Sequence, residues 1–297
     1  MNIIARLLML VSALLMCLTF ASCAMPNAND MPVGPSAPVS SSSQPEQEES
    51  APSTVRITFL DGMTAREIAQ KLQENGVCSA DDFLSALATK SFDVSFVGQI
   101  PDDELIYLPL EGYLLPDTYE FPFDEAPVSV IERFLQNLES SLSDDLLAEI
   151  ERRGMTLHET VTLASIIQAE ALDPAEMTMI SSVFHNRLAS PDFPKLQSDV
   201  TIFYAKQNIE PFVSEEEYEA YFNAYSTYDC YGLPVGPICN PGLDAIKACV
   251  FPEQSDYYYF LTDHANKYYY AKTYKQHQKN WEEAKAVNAR LREQSTE

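Results

Sequence analysis

An α+β fold is expected from three features of this 297-residue sequence. Residues 55–59 alternate apolar and polar side chains as a half-buried strand does. From residue 64 to 188, several segments repeat apolar residues at helical spacing, with polar caps in front and turn residues behind. Two tyrosine-rich runs near the end, 257–262 and 268–271, again look like strands. The order gives a small strand–helix–helix module over 54–100, then a mixed, helix-rich domain over 101–297.

The N-terminus precedes both. Arg6 is followed by the uncharged apolar run Leu7 to Phe20 and then Ala21-Ser22-Cys23. A basic start, a short apolar core and small residues at the end make an export signal over 1–23. Cys23 after two small residues resembles a lipoprotein signal box, in which the cysteine is lipidated. Phe20 stands where that box prefers Leu. The competing reading is an uncleaved transmembrane helix, because Leu7 to Met25 carries no charge and is long enough to span a bilayer. Either way the body is tied to a membrane and sits outside the cytoplasm. Residues 24–53 are mostly Pro, Ser, Ala, Asn and Glu with almost no large apolar residue, a composition that cannot bury a core and reads as a disordered spacer.

Within the small module, Val55-Arg56-Ile57-Thr58-Phe59 is the strand and Asp61-Gly62 the turn. Thr64 with Glu67 forms a capping-box pattern. Ile68, Ala69 and Leu72 share one helix face, and Asn75-Gly76 ends it. A second helix starts near Ala80 and carries Phe83, Leu84 and Leu87. Residues 110–121 are dense in aromatics, Gly and Pro. Helical spacing returns over 128–138 and 146–153. It appears again in a helix capped by Thr156 and Glu159 that runs to Glu170, and over 175–188. After Pro191 the pattern breaks into loops, with Pro234, Gly236, Pro237, Pro241 and Gly242 marking turns. A short helix over 244–250, the two strands and a charged helix over 275–292 complete the chain.

Composition excludes some functions. Lys and Arg number 19 against 44 Asp and Glu, a formal charge of −25. Nucleic acid is excluded, since neutralising phosphates takes clustered cations. So is electrostatic docking on anionic lipid. The six cysteines include no C-x-x-C pair and the four histidines no H-E-x-x-H, so no metal site is expected. Cys230, Cys239 and Cys249 are close enough in sequence for a disulfide, which the spacing alone leaves open.

Glu170 is the first candidate for chemistry. It follows Leu163, Ile166 and Ile167 by seven, four and three residues, which puts a carboxylate on an apolar helix face. Burial there raises its pKa toward what a general acid needs. On spacing alone, an ion pair with a neighbouring cation such as Arg187 explains it as well.

The surrounding segments add a resemblance. Ala164-Ser165-Ile166-Ile167-Gln168-Ala169-Glu170 is similar to the helix motif of the MltG (YceG-like) endolytic transglycosylases. In the same order as in that family come residues 110–119 upstream, then Val183-Phe184-His185-Asn186-Arg187-Leu188 and Leu196-Gln197-Ser198-Asp199. Tyr225-Ser226-Thr227-Tyr228, residues 232–242, and Tyr269-Tyr270-Ala271-Lys272-Thr273 with His277 follow. The resemblance spans about residues 55–283. It implies a LysM-like module at 54–100, a catalytic domain at 101–297 and cleavage between N-acetylmuramic acid and N-acetylglucosamine within glycan strands, with no cofactor. In this family the Glu protonates the glycosidic oxygen and then takes the proton of the muramyl 6-hydroxyl, closing a 1,6-anhydro ring. No second carboxylate is required, unlike in ordinary glycoside hydrolases, and none occupies a matching motif around Glu170. Peptidoglycan is the implied partner, with peptidoglycan synthases as further ones.

Supporting roles follow by position. Gln197, Ser198 and Asp199 form a polar loop suited to sugar hydroxyls, or a turn capping the next helix. Tyr225, Tyr228, Tyr269 and Tyr270 can stack on sugars or pack in the core. Asn240 either orients substrate or holds the Pro241-Gly242 turn, and Arg187 orients a carboxylate. Ser226 stands where the family usually has Asn, Val200 where it has Pro, Gln168 where Glu is frequent and Tyr268 where His is frequent. The Ser226 change leaves a non-catalytic, peptidoglycan-binding lipoprotein scaffold as the alternative.

Overall fold

The computed structural model describes residues 53–89 and 91–294, and these form a helix-rich α+β unit with two small antiparallel sheets. The signal segment with Cys23 and the spacer up to residue 52 lie outside the described residues.

Strand β1 (Thr54–Thr58) leads into helices α1 (Ala65–Glu74) and α2 (Ala80–Leu87). The Thr64 box is formed. Its Oγ1 accepts from the Glu67 N–H, and the Glu67 carboxylate accepts from the Thr64 N–H at 2.8 Å. β1 pairs with β2 (Thr118–Pro122), Ile57 opposite Tyr119. The partner of the first strand therefore comes from beyond residue 100. The Gly- and Pro-rich segment before it masks the short alternation of Tyr119 and Phe121. Helix α3 (Pro127–Ser141) covers the inner face of this pair, where the Phe134 ring lies 5.0 Å from Phe59 and 4.4 Å from Tyr119. Such edge and tilted contacts are the favoured geometry for buried rings.

Helix α4 (Asp144–Arg152) precedes α5 (Leu157–Glu170), whose Thr156–Glu159 box is also formed. After it come α6 (Met177–Leu188), α7 (Asp199–Tyr204), α8 (Glu215–Tyr225) and α9 (Leu243–Val250). A hairpin of β3 (Tyr259–Thr262) and β4 (Tyr268–Ala271) carries α10 (Tyr274–Gln294) at the C-terminal end. Where the sequence pattern suggests loops after Pro191, the structure has α7 and α8, joined by a π-helical turn over Ala205–Ile209 and a 3-10 turn over Glu210–Phe212. The stripe of α8 is aromatic rather than aliphatic (Tyr218, Tyr221, Phe222, Tyr225), and only Tyr225 is fully buried.

Helix α5 is the axis of this arrangement. Its residues from Leu157 to Ile167 are buried on every side except at Glu159, so it has no single apolar face. The expectation of an amphipathic helix fails because α6, α9 and the loop before α9 enclose it. Two of its buried hydroxyls turn back on the helix, Thr160 Oγ1 to Thr156 O at 2.9 Å and Ser165 Oγ to Thr162 O at 2.7 Å. Only the last turn, Gln168 to Glu170, emerges. No described helix is long and apolar enough to cross a membrane. Cys78, Cys230, Cys239 and Cys249 are free thiols.

Candidate active site

Because α5 ends at Glu170, that carboxylate leaves the core at the point where the helix does and enters a groove of about 560 Å³. Arg187 of α6, Gln197 and Asp199 at the start of α7, and Tyr228 line the groove with it. The remaining wall is residues 259–262 of β3 with Tyr274, His277 and Trp281 of α10.

Ser198 is the closest partner of the acid. Its Oγ donates to Glu170 Oε1 at 2.6 Å. The serine is itself fixed: its N–H donates to Thr227 Oγ1 at 2.9 Å, and its carbonyl accepts from Thr201 and Thr227 hydroxyls, both at 3.0 Å. The residue before it, Gln197, has φ of 55°, the left-handed region that a non-glycine side chain adopts only under constraint. Its N–H is anchored on Thr227 O at 3.0 Å.

Burial pushes the Glu170 carboxyl above the ordinary value; the Ser198 hydrogen bond pulls it down, Asp199 pushes it up and Arg187 pulls it down. Asp199 accepts from the Tyr228 hydroxyl at 2.8 Å. Burial and that carboxylate raise the Tyr228 phenol to about 12, so it stays a donor at neutral pH. Arg187 does not form the ion pair that spacing allowed. It donates Nε to Tyr258 O at 2.7 Å and Nη1 to Leu196 O. Its charge faces the groove while its donors hold the backbone around it. Glu170 is thus left as an acid raised above the ordinary carboxylate range, with one hydroxyl donor and an open side.

The structure brings Glu170, Arg187, Gln197, Ser198, Asp199 and Tyr228 together. It places Tyr225, Ser226 and Asn240 elsewhere, in buried frameworks. The Tyr225 hydroxyl accepts from the Tyr107 N–H at 3.2 Å, and its ring packs on Tyr204. Ser226 Oγ donates to Asp229 Oδ2 at 2.6 Å. Asn240 Oδ1 accepts from the N–H groups of Gly112 and Leu114, both at 2.9 Å. Its Nδ2 donates to Met63 O and to Glu111 Oε1. Its side chain thus holds the Gly112–Leu114 segment and Met63 rather than the Pro241-Gly242 turn. Tyr269 and Tyr270 donate to Asp263 and Glu176 instead of lining the groove.

Asp199, a candidate for sugar contacts from its loop, is also a second carboxylate beside Glu170, where the motif around Glu170 implies none. Other groove residues escape the sequence pattern. Tyr274, His277 and Trp281 recur at i, i+3 and i+7 on a helix that otherwise reads as charged and solvated. That spacing, and the chain's one tryptophan standing on a charged helix, are the available signal.

With this geometry in place, comparison with known proteins is informative. The model of the YceG-like family matches residues 40–283. A Bacillus subtilis protein named endolytic murein transglycosylase is 30% identical over 231 residues, which are 75% of this chain and 63% of that one. A Streptococcus pneumoniae serotype 2 protein of the same name is 30% identical over 262 residues, 82% of this chain and 47% of that one. The chain therefore spans less than two thirds of the length of these curated relatives. The crystal structure of a yceG-like protein from Listeria monocytogenes superposes with a TM-score of 0.63 at 31% identity. It covers 75% of this chain and 74% of that one. Sequence and fold agree, and the chain belongs to the YceG-like family.

Proposed function

We propose that the protein is an endolytic murein transglycosylase that cuts peptidoglycan strands between N-acetylmuramic acid and N-acetylglucosamine, with Glu170 as acid and base. The observation that carries this reading is the Glu170 carboxyl at the rim of the buried α5 helix, raised by burial and held by the Ser198 hydroxyl at 2.6 Å. In the protonated state Glu170 gives its proton to the glycosidic oxygen as the bond to the muramyl anomeric carbon breaks. Ser198 keeps one carboxyl oxygen in place, so the other faces substrate. The resulting carboxylate takes the proton of the muramyl 6-hydroxyl, whose oxygen closes the 1,6-anhydro ring. Arg187 and the Tyr228–Asp199 pair fix the charge balance around the reacting sugar.

Asp199 favours a second reading. A carboxylate beside the acid can activate water, as in hydrolases with two acids. The two outcomes differ in product: 1,6-anhydro ends for transglycosylation, reducing muramyl ends for hydrolysis. Digesting purified peptidoglycan and separating the fragments by mass spectrometry decides between them. A protein that binds the sacculus and releases neither product would be the non-catalytic scaffold.

The module expected over 54–100 is proposed as LysM-like and glycan-holding, extended by β2 of the following region; its support is two helices between the strands of an antiparallel pair. Membrane attachment through Cys23 or through the apolar 7–25 segment, and work beside peptidoglycan synthases, belong to the same proposal. Cys23→Ser shifts the protein to the soluble fraction if Cys23 is lipidated, and leaves it in the membrane if the segment stays as a helix.

A further inference from the structure

Beyond Tyr259 the groove does not end at the catalytic acid. It continues along α10, where Trp281 also lines the neighbouring hollows that reach Gln278 on one side and Lys285, Asn288 and Arg292 on the other. Trp281, Lys285, Asn288 and Arg292 follow at four, three and four residues, so they form one stripe of the helix. The rings before the stripe are engaged: His277 stacks on Tyr259 at 5.2 Å, and Tyr274 lies 6.0 Å from the same ring. Trp281 is 52% exposed, with the Lys285 ammonium 4.6 Å from its ring centroid. His277 Nδ1 is buried in the groove with no hydrogen-bond partner among the described residues. In a chain of formal charge −25, α10 carries five cations against three acids.

An exposed indole beside a sugar-cutting groove presents a flat apolar face to a pyranose ring, whose axial C–H groups are its apolar side. A cation one turn further along suits a carboxylate that hangs from the sugar. We propose that the Trp281–Lys285 pair is a distal subsite of the groove that stacks a sugar ring and pairs with a carboxylate of its peptide branch, selecting branched over bare strands. This rests on the reading of the groove as a glycan-cleaving site and adds which part of the strand is recognised. Trp281 takes the ring, and Lys285 leaves the indole face for the branch carboxylate.

Trp281 is the chain's one tryptophan, so indole fluorescence reports on this position alone. The test uses the full chain carrying Glu170→Gln, titrated with muramyl-containing tetrasaccharides that bear or lack their peptide branches. The expected result is a saturable change in emission, with branched fragments binding roughly tenfold more tightly, the effect of about 1.4 kcal/mol. Lys285→Glu reduces that ratio several-fold. In the otherwise wild-type protein, Trp281→Ala raises KM about tenfold with little change in kcat, and Trp281→Phe restores most of the loss. Cleavage by the wild type with unmoved fluorescence, or with equal affinity for both fragments, overturns the subsite alone. No binding together with no cleavage overturns the glycan-cleaving reading and the subsite with it.

Discussion

Ser198 Oγ and Glu170 Oε1 are 2.6 Å apart, and they come from different elements, the serine from the loop before α7 and the acid from the end of α5. Both are held by structure behind them: Ser198 by Thr201 and Thr227, Glu170 by a helix buried for ten residues before its last turn. The hydrogen bond lowers the acid's pKa against the burial that raises it. Ser198→Ala removes the lowering contribution, so the Glu170 pKa rises further. Activity that needs protonated Glu170 then persists to higher pH, and the alkaline limb of the kcat/KM profile moves upward. The loss of positioning reduces kcat about tenfold, or about 1.4 kcal/mol. A pH–rate series on wild type and variant measures both.

Glu170→Gln is expected to abolish cleavage and to raise stability. A carboxyl whose folded pKa is raised binds protons more tightly in the folded than in the unfolded state, so stability falls as pH climbs from 4.5 toward the folded value. The amide has no such penalty. Its advantage in melting temperature is absent below pH 4 and grows toward neutrality. Thermal melts at several pH values check the sign.

Glu111 obeys the same sign at a place far from chemistry. It is fully buried, accepts from the Ala65 N–H at 2.9 Å and Asn240 Nδ2 at 2.8 Å, and burial raises it to about 7. Ionising it between 4.5 and about 7 costs on the order of 3 kcal/mol. Glu111→Gln flattens the decline of stability over that window. Denaturant melts at pH 5 and pH 8 compare the slopes.

Asn240→Ala leaves the Gly112 and Leu114 N–H groups without their acceptor and removes one of the donors to Met63 O and to Glu111. A cost of about 2–4 kcal/mol follows from orphaned buried groups. Since Asn240 lies outside the groove, the variant that still folds keeps kcat per folded molecule. Active-site titration alongside the melt separates the two effects.

Gly112→Ala is expected to be worse. The glycine has φ of 88°, and an added Cβ would lie 2.5 Å from Pro237 Cβ and 2.9 Å from Val161 Cγ1. Neither a rigid ring nor an α5 side chain buried in the core can move away. Loss of soluble folded protein is the result to look for.

Much of this fold was legible because local chemistry agreed with it. The Thr64–Glu67 and Thr156–Glu159 boxes gave two helix starts, and Gly76, with φ of 71°, ends the first helix where a glycine is suited. The same kind of box at Ser214 and Glu217 marked α8, but an aromatic stripe hid its period. β2 was hidden because a strand's partner is a long-range fact. In the site, Glu170 and the 197–199 loop were readable from motif order. Asn240 and Tyr225 sit in equally recognisable motifs yet serve the framework, since a motif fixes identity and not the side from which a groove opens. Trp281 and Tyr274 join the site only through the fold, where β3, α7 and α10 close around the end of α5.

The most direct test of the account is the mass of the fragments released from purified peptidoglycan by the wild type and by Glu170→Gln. Internal fragments ending in 1,6-anhydro-muramyl residues, lighter by one water than hydrolysis products, are expected from the wild type and none from the variant. Undiminished anhydro product from Glu170→Gln, or reducing ends alone from the wild type, would contradict it.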